Sequence, residues 1–273
     1  MPNTPNVLAD LSTPALVKAI KDNWADYYRY LGRSSKAELH EDAHLFWMLT
    51  GVPTSFLNVV LRSELPPDHA NEIIDHAISH FKTKNISEVS WWIDPKTPDL
   101  GKFLIRNGLT FSEGGTGMAA DLNNVPDSVP NPIGLKIIPV TNLQTLKDWA
   151  RTSTIGFGGS SAGGDLLTEL LADVVFDPPW RTYLGLLNDR PVATSQLFLS
   201  AGVAGLYSVT CLPEARNRGI GAAITLAPLL EARALGYRIS ILQASDLGAR
   251  VYRRLGFKEY GRLNEYLWTA NRA

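Results

Sequence analysis

A strand-like run from Leu206 to Cys211 passes through Leu212-Pro213-Glu214-Ala215 into Arg216-Asn217-Arg218-Gly219-Ile220-Gly221-Ala222, where a helical pattern begins. Glycine lets the main chain approach a bulky ligand closely. The first amides of a helix have no partner inside it and sit at the positive end of its dipole, so they receive anions. The chemistry this spacing suits is capture of a pyrophosphate, with Arg216 and Arg218 adding positive charge. No Lys followed by Ser or Thr comes after the glycines, as a triphosphate loop requires, and the third glycine of a dinucleotide fingerprint is missing.

Other spellings point to chemistry that their surroundings do not support. His40-Glu-Asp-Ala-His44 has the spacing of a zinc-binding helix, but Asp42 intervenes and Leu45 to Thr50 reads as strand. We read it as a polar turn, and His76 and His80 as a solvated pair without a third ligand. Gly159-Ser160-Ser161-Ala162-Gly163 spells a hydrolase elbow with Ser161 as nucleophile, yet no strand precedes it and no histidine follows position 80. Cys211, the only cysteine, has no histidine near it in sequence, so it is read as a small lining residue and not a nucleophile. No metal is expected.

The elements that must position these residues are legible as two series. Ser12-Thr13-Pro14 opens a helix carrying Leu16, Ile20, Trp24, Tyr27, Tyr28 and Leu31, and Gly32 stops it. Leu45 to Arg62 reads as two strands around Gly51-Val52-Pro53, followed by an amphipathic helix over 69–82, a strand over 89–93 and a short helix over 100–107. Three prolines between Asn123 and Gly134 place a linker at 126–134, dividing a domain over 1–125 from one over 135–273. In the second series helices are expected near 142–155, 165–176, 219–235 and 246–255, and strands near 135–140, 181–188, 192–200, 203–212, 238–244 and 263–268. Pro228 should bend its helix near Thr225.

The 273 residues balance 26 Lys+Arg against 27 Asp+Glu and are 45% hydrophobic. That is enough for about two self-sufficient cores, and it offers no sustained basic surface for nucleic acid or an anionic membrane. One cysteine asks for no oxidising compartment, and no signal peptide or spanning segment is expected, so a cytoplasmic protein is the reading.

Arg216-x-x-Gly219-x-Gly221, with Ser208 to Arg216 upstream and Gln243 to Phe257 downstream, resembles the GNAT superfamily of acyl-CoA-dependent N-acetyltransferases over about 135–268. The resemblance implies an α/β (α+β) fold in which two strands splay and hold the pantetheine arm of acetyl-CoA. Backbone groups of Val209 and Cys211 would bond pantetheine. Amides of Arg216, Asn217, Arg218, Gly219, Ile220, Gly221 and Ala222 would cradle the pyrophosphate, Ser245 would contact the cofactor, and Tyr252 would protonate the departing sulfur. A phenol suits that task because it stays protonated at neutral pH. For the base that deprotonates the amine, Glu214, Asp173 and Asp177 are candidates beside water. Gly156 to Gly164 would be a mobile loop bordering the acceptor.

The N-terminal half is similar to a second, degenerate copy: Phe56 to Leu61, a helix, Val89 to Asp94, Leu100 to Leu109 and Met118 to Leu122, with Leu65-Pro66-Pro67-Asp68 where the glycines would stand. Two GNAT-like domains are therefore expected, each a mixed, largely antiparallel twisted sheet flanked by helices, the alternative for residues 1–125 being an unrelated α/β domain. The expected activity is acetyl transfer from acetyl-CoA to a primary amine, small-molecule or peptide, by a monomer or homodimer. The alternative is a CoA-binding module that regulates or assembles without catalysis.

Overall fold

The computed structural model describes residues 7–270. In chain order the elements are α1 (Thr13–Leu31), β1 (Glu38–Glu41), β2 (Leu45–Leu49), β3 (Val59–Ser63), α2 (Ala70–Thr83), β4 (Glu88–Ile93), α3 (Pro98–Arg106), β5 (Thr110–Phe111), β6 (Gly115–Asp121), β7 (Leu135–Pro139), α4 (Leu143–Gly156), α5 (Ser161–Leu171), β8 (Trp180–Leu187), β9 (Arg190–Ser200), β10 (Val203–Cys211), α6 (Ile220–Ala234), β11 (Ile239–Ala244), α7 (Asp246–Arg254) and β12 (Lys258–Thr269). No described helix is long and apolar enough to cross a membrane.

Two compact units form, and they do not follow chain order. The larger joins the chain up to Tyr30 to Thr116–Gly261; the smaller joins Leu31–Gly115 to the segment from Arg262 onward. The expected linker at 126–134 falls inside the larger unit, because α1 and β6, which precede it, pack there. Ile20 of α1 lies in one apolar cluster with Ala119 of β6, Val203 of β10 and Ile241 of β11.

The larger unit runs antiparallel from β7 through β8 and β9 to β10. Strand β10 then pairs parallel with β11 through α6, and β11 pairs antiparallel with β6. Apolar residues alternate along these strands and face α6, so that Leu197, Leu206, Leu242, Ile224 and Leu229 share one core. Pro228 lies inside α6, which runs continuously from Ile220 to Ala234. Thr225, where a bend was expected, donates its hydroxyl to the Gly221 carbonyl at 2.7 Å.

The smaller unit repeats the pattern: β1 to β2 and β2 to β3 antiparallel, β3 to β4 parallel through α2, then β4 antiparallel with the second part of β12. Asn58 braces the connection before β3: its Oδ1 accepts from the Thr50 amide at 2.9 Å and its Nδ2 donates to the Val52 carbonyl at 2.8 Å. His40 sits on β1 and His44 in the hairpin turn after it, which excludes a zinc-binding helix at this spelling. Asp42 shapes that turn by accepting from the amides of His44 at 2.7 Å and Leu45 at 2.8 Å. These bonds hold its carboxyl down at about 2.

The expected loop over Gly156 to Gly164 is shorter than the sequence suggests. Gly163 and Gly164 lie within α5, whose N-terminus is capped by Ser160 accepting from the Gly163 amide. A Cβ on Gly164 would stand 2.7 Å from the Arg151 Cα, and one on Gly159 2.7 Å from the Thr154 Cγ2. These glycines pack α5 tightly on α4, and only 157–160 connect the two helices. Ser161, the would-be nucleophile, is the first residue of α5. Helix α5 also ends at Leu171, short of the expected 176.

Candidate active site

Strands β10 and β11 pair only at Ala204 with Ser240 and Gly205 with Ile241. Beyond Gly205 they part. Strand β11 continues to bond β6 as far as Ala244, while β10 stays on β9 through a bulge between Tyr207 and Thr210. The bulge residue Ser208 is left-handed, with φ 51°. Burial records the opening: Val203 to Leu206 are buried, whereas Tyr207 to Cys211 are all half-buried.

The exposed edge of β10 carries unspent backbone groups. Leu212 donates its amide to the Val192 carbonyl at 2.8 Å, so by strand alternation the amides and carbonyls of Cys211 and Val209 face the other way, into the gap. The predicted pair therefore stands at the open edge. One of its acceptors is already engaged, since Arg216 Nε donates to the Cys211 carbonyl at 3.1 Å and its Nη2 to the Gly156 carbonyl at 2.8 Å. Arg216 thus ties the end of β10 to the end of α4, a clamp the sequence reading did not foresee.

The turn that follows has the form the spacing predicts. Asn217 and Gly219 are left-handed, φ 60° and 81°, and Gly219 occupies the N-cap of α6. Arg216 to Gly219 are exposed, Gly221 and Ala222 half-buried, and Ile220 buries its side chain. A Cβ on Gly219 would meet the Pro130 carbonyl at 3.7 Å, and one on Gly221 would meet Cys211 Sγ at 3.9 Å. The Pro132 ring stands 3.8 Å from the same position at Gly219, so both glycines have neighbours at ordinary contact distance and none closer among the described residues.

Tyr252 on α7 is buried among Ala249, Phe257 and Leu255. Burial, and after it the neighbouring Cys211, hold its phenol well above the usual value. Burial likewise pushes the Cys211 thiol up to about 11, against the opposing pull of Arg216. Both groups keep their protons at neutral pH: Tyr252 has one to give, and Cys211 is not a thiolate nucleophile. Ser245 caps α7, its hydroxyl accepting from the Gly248 amide at 3.3 Å. Glu214, Asp173 and Asp177 are all exposed, and no geometry singles one out as a base.

The sequence reading missed the contribution of α1. A Cβ on Gly205 would run into Asn23 Oδ1 and stand 2.6 Å from the Tyr207 ring. The cluster Trp24, Tyr27, Tyr28 and Tyr30 was the available signal, since four aromatic residues in about two turns need a large apolar partner.

A cleft of about 690 Å³ lies elsewhere, in the smaller unit, and all five histidines line it together with Trp47. His80 bonds Glu38 at 2.8 Å and His40 bonds Asp42 at 2.9 Å. No group of three ligating side chains converges on a metal position among the described residues.

No protein-family model matches the sequence, and no curated protein sequence matches it. Solved structures do match the fold. A GCN5-related N-acetyltransferase from Kribbella flavida has TM-score 0.65 at 19% identity, covering 91% of this chain and 94% of its own. A tandem GNAT protein from the clavulanic acid biosynthesis pathway has TM-score 0.58 at 15% identity, covering 95% and 97%. A GCN5-related N-acetyltransferase from Sphaerobacter thermophilus has TM-score 0.57 at 16% identity, covering 85% and 76%. The chain has the GNAT fold, with two GNAT-like domains.

Proposed function

We propose that the larger unit transfers an acetyl group from acetyl-CoA to a primary amine within a ternary complex. The observation that carries this reading is the open edge of β10 leading directly to the glycine-capped start of α6: one surface offers amides to an extended amide-bearing arm, then to a diphosphate. Val209 and Cys211 would align the pantetheine, while the amides from Asn217 to Ala222 and the Arg218 side chain would hold the pyrophosphate; the Arg216 amide, expected among them, instead donates to the Pro213 carbonyl at 3.3 Å.

Holding amine and thioester in contact supplies much of the acceleration. The amine nitrogen attacks the thioester carbonyl, the carbon–sulfur bond breaks, and Tyr252 passes its proton to the leaving sulfur. Burial makes the phenol a weaker acid than in water, so the transfer follows the charge building on the sulfur, and the proton that the amine gives up returns through water to the phenolate. The amine's own proton leaves to water or to a carboxylate brought by the acceptor. The Pro66-Pro67 segment offers no amides at those positions, so the smaller unit is read as a copy without CoA affinity.

Titration calorimetry with acetyl-CoA tests this, with one site per chain expected; two sites, or no heat, would overturn it. Against a panel of amines followed by thiol release, Tyr252→Phe should retain acetyl-CoA affinity and lower kcat by about 10- to 100-fold.

A further inference from the structure

Ser208 is a non-glycine residue in a left-handed conformation, φ 51°, at the point where β10 leaves β11. Such residues persist only where surrounding structure holds them. Two groups hold this one. Thr194 on β9 donates its hydroxyl to the Ser208 carbonyl at 2.7 Å. From α1, 181 positions earlier in the chain, the Tyr27 hydroxyl stands beside the Ser208 side chain and donates to Gln196 Oε1 at 3.3 Å.

Helix α1 is itself locked to this stretch. The Tyr27 ring stacks on Tyr207, the residue before the bulge, with centroids 4.1 Å apart. The Tyr207 hydroxyl donates to Asn23 Oδ1 at 2.7 Å, and Asn23 Nδ2 donates to the Ser200 carbonyl at 2.9 Å and the Phe198 carbonyl at 3.3 Å. Gly205, the last residue paired with β11, has no room for a Cβ because Asn23 presses on it.

We infer that Tyr27 and Asn23 of α1 are positioning residues for the thioester-bearing cosubstrate: they pin Ser208 and Tyr207 so that Val209 and Cys211 present their backbone groups to the gap. The inference rests on the acetyl-CoA reading above. It assigns to the first helix of the chain a part in the affinity of a site built almost 200 residues later.

The test uses full-length protein and CoA as the probe. Tyr27→Phe keeps the stacked ring and removes the hydroxyl, and should weaken CoA binding by about five- to tenfold. Hydrogen exchange at the Val209 and Cys211 amides, measured without CoA, should quicken. Adding Ser208→Gly, which adopts positive φ without being held, should bring the affinity of Tyr27→Phe back to within about twofold of the parent. A merely structural role for Tyr27 would lower stability without that rescue. Unchanged CoA affinity in folded Tyr27→Phe, or a double variant as weak as the single, would overturn the inference. Absence of CoA binding by the parent protein would instead overturn the acetyl-CoA reading, and unchanged amide exchange in Tyr27→Phe would still count against the pinning.

Discussion

Past the two parallel pairs that join β10 to β11, the larger unit leaves Tyr207 to Cys211 half-buried and follows them with a glycine-capped helix. Past the two parallel pairs that join β3 to β4, the smaller unit sends Trp91 of β4 toward β3, where its indole N–H donates to Ser63 Oγ at 2.6 Å. Trp91 is 0% exposed. The turn after β3 carries Pro66 and Pro67 and enters α2 at His69, which makes no side-chain cap. Both crossovers leave the departing strand half-buried, Leu61 to Ser63 in the smaller unit and Tyr207 to Cys211 in the larger, and they differ in what stands beside and beyond it: a glycine-capped helix start in one, an indole and two prolines in the other. A shared topology leaves the binding capacity of each copy to a handful of side chains.

Three substitutions or probes sharpen that contrast. Gly221→Glu places bulk and negative charge where the diphosphate would rest, and calorimetry should find CoA affinity reduced by about 100-fold or more. Tight CoA binding by that variant would remove the contrast. Trp91→Ala should cost about 3–5 kcal/mol in urea unfolding of the smaller unit, with CoA affinity unchanged. A gain of a second CoA site in Trp91→Ala would show that the indole alone had closed the first copy. The smallest effect concerns Cys211. Its raised value means that thiolate forms only as pH climbs toward 11, so alkylation by iodoacetamide at pH 8 should run about 100-fold slower than for an ordinary thiol, and should slow further with CoA present. Alkylation at the ordinary rate would mean the open edge is wetter than its half-buried residues indicate.

Much of this was readable in the chain itself. The glycine and arginine spacing located the turn, because left-handed backbone and free helix-start amides demand small residues locally. The strand and helix order of the 135–268 series followed from periodicity, whereas β1 (Glu38–Glu41) escaped it, since its four largely polar residues read as part of a turn. What sequence hid were contacts made at long range. Nothing near Arg216 announces that its guanidinium will serve the carbonyls of Cys211 and Gly156. The glycines over 156–164 read as a flexible loop because glycine favours both turns and close helix contacts; only the meeting of Gly164 with Arg151 decides between them. The linker prolines suggested a boundary, yet α1 crosses it because its aromatic face matches Trp180, Phe198 and Tyr207. His40, His44, His69, His76 and His80 gather in one cleft because alternate positions on and beyond β1 face one stripe of α2, a match of period 2 with period 3.6 that two separate readings do not combine.

The exchange of chain ends between the units bears on how the protein is made. The larger unit needs α1 and Thr116–Gly261, and the smaller needs Leu31–Gly115 and the residues from Arg262 onward, so during synthesis neither can close until its last strand has been made. Contacts of such long sequence separation slow folding, and a clone that trims either terminus removes a piece of the unit encoded at the other end.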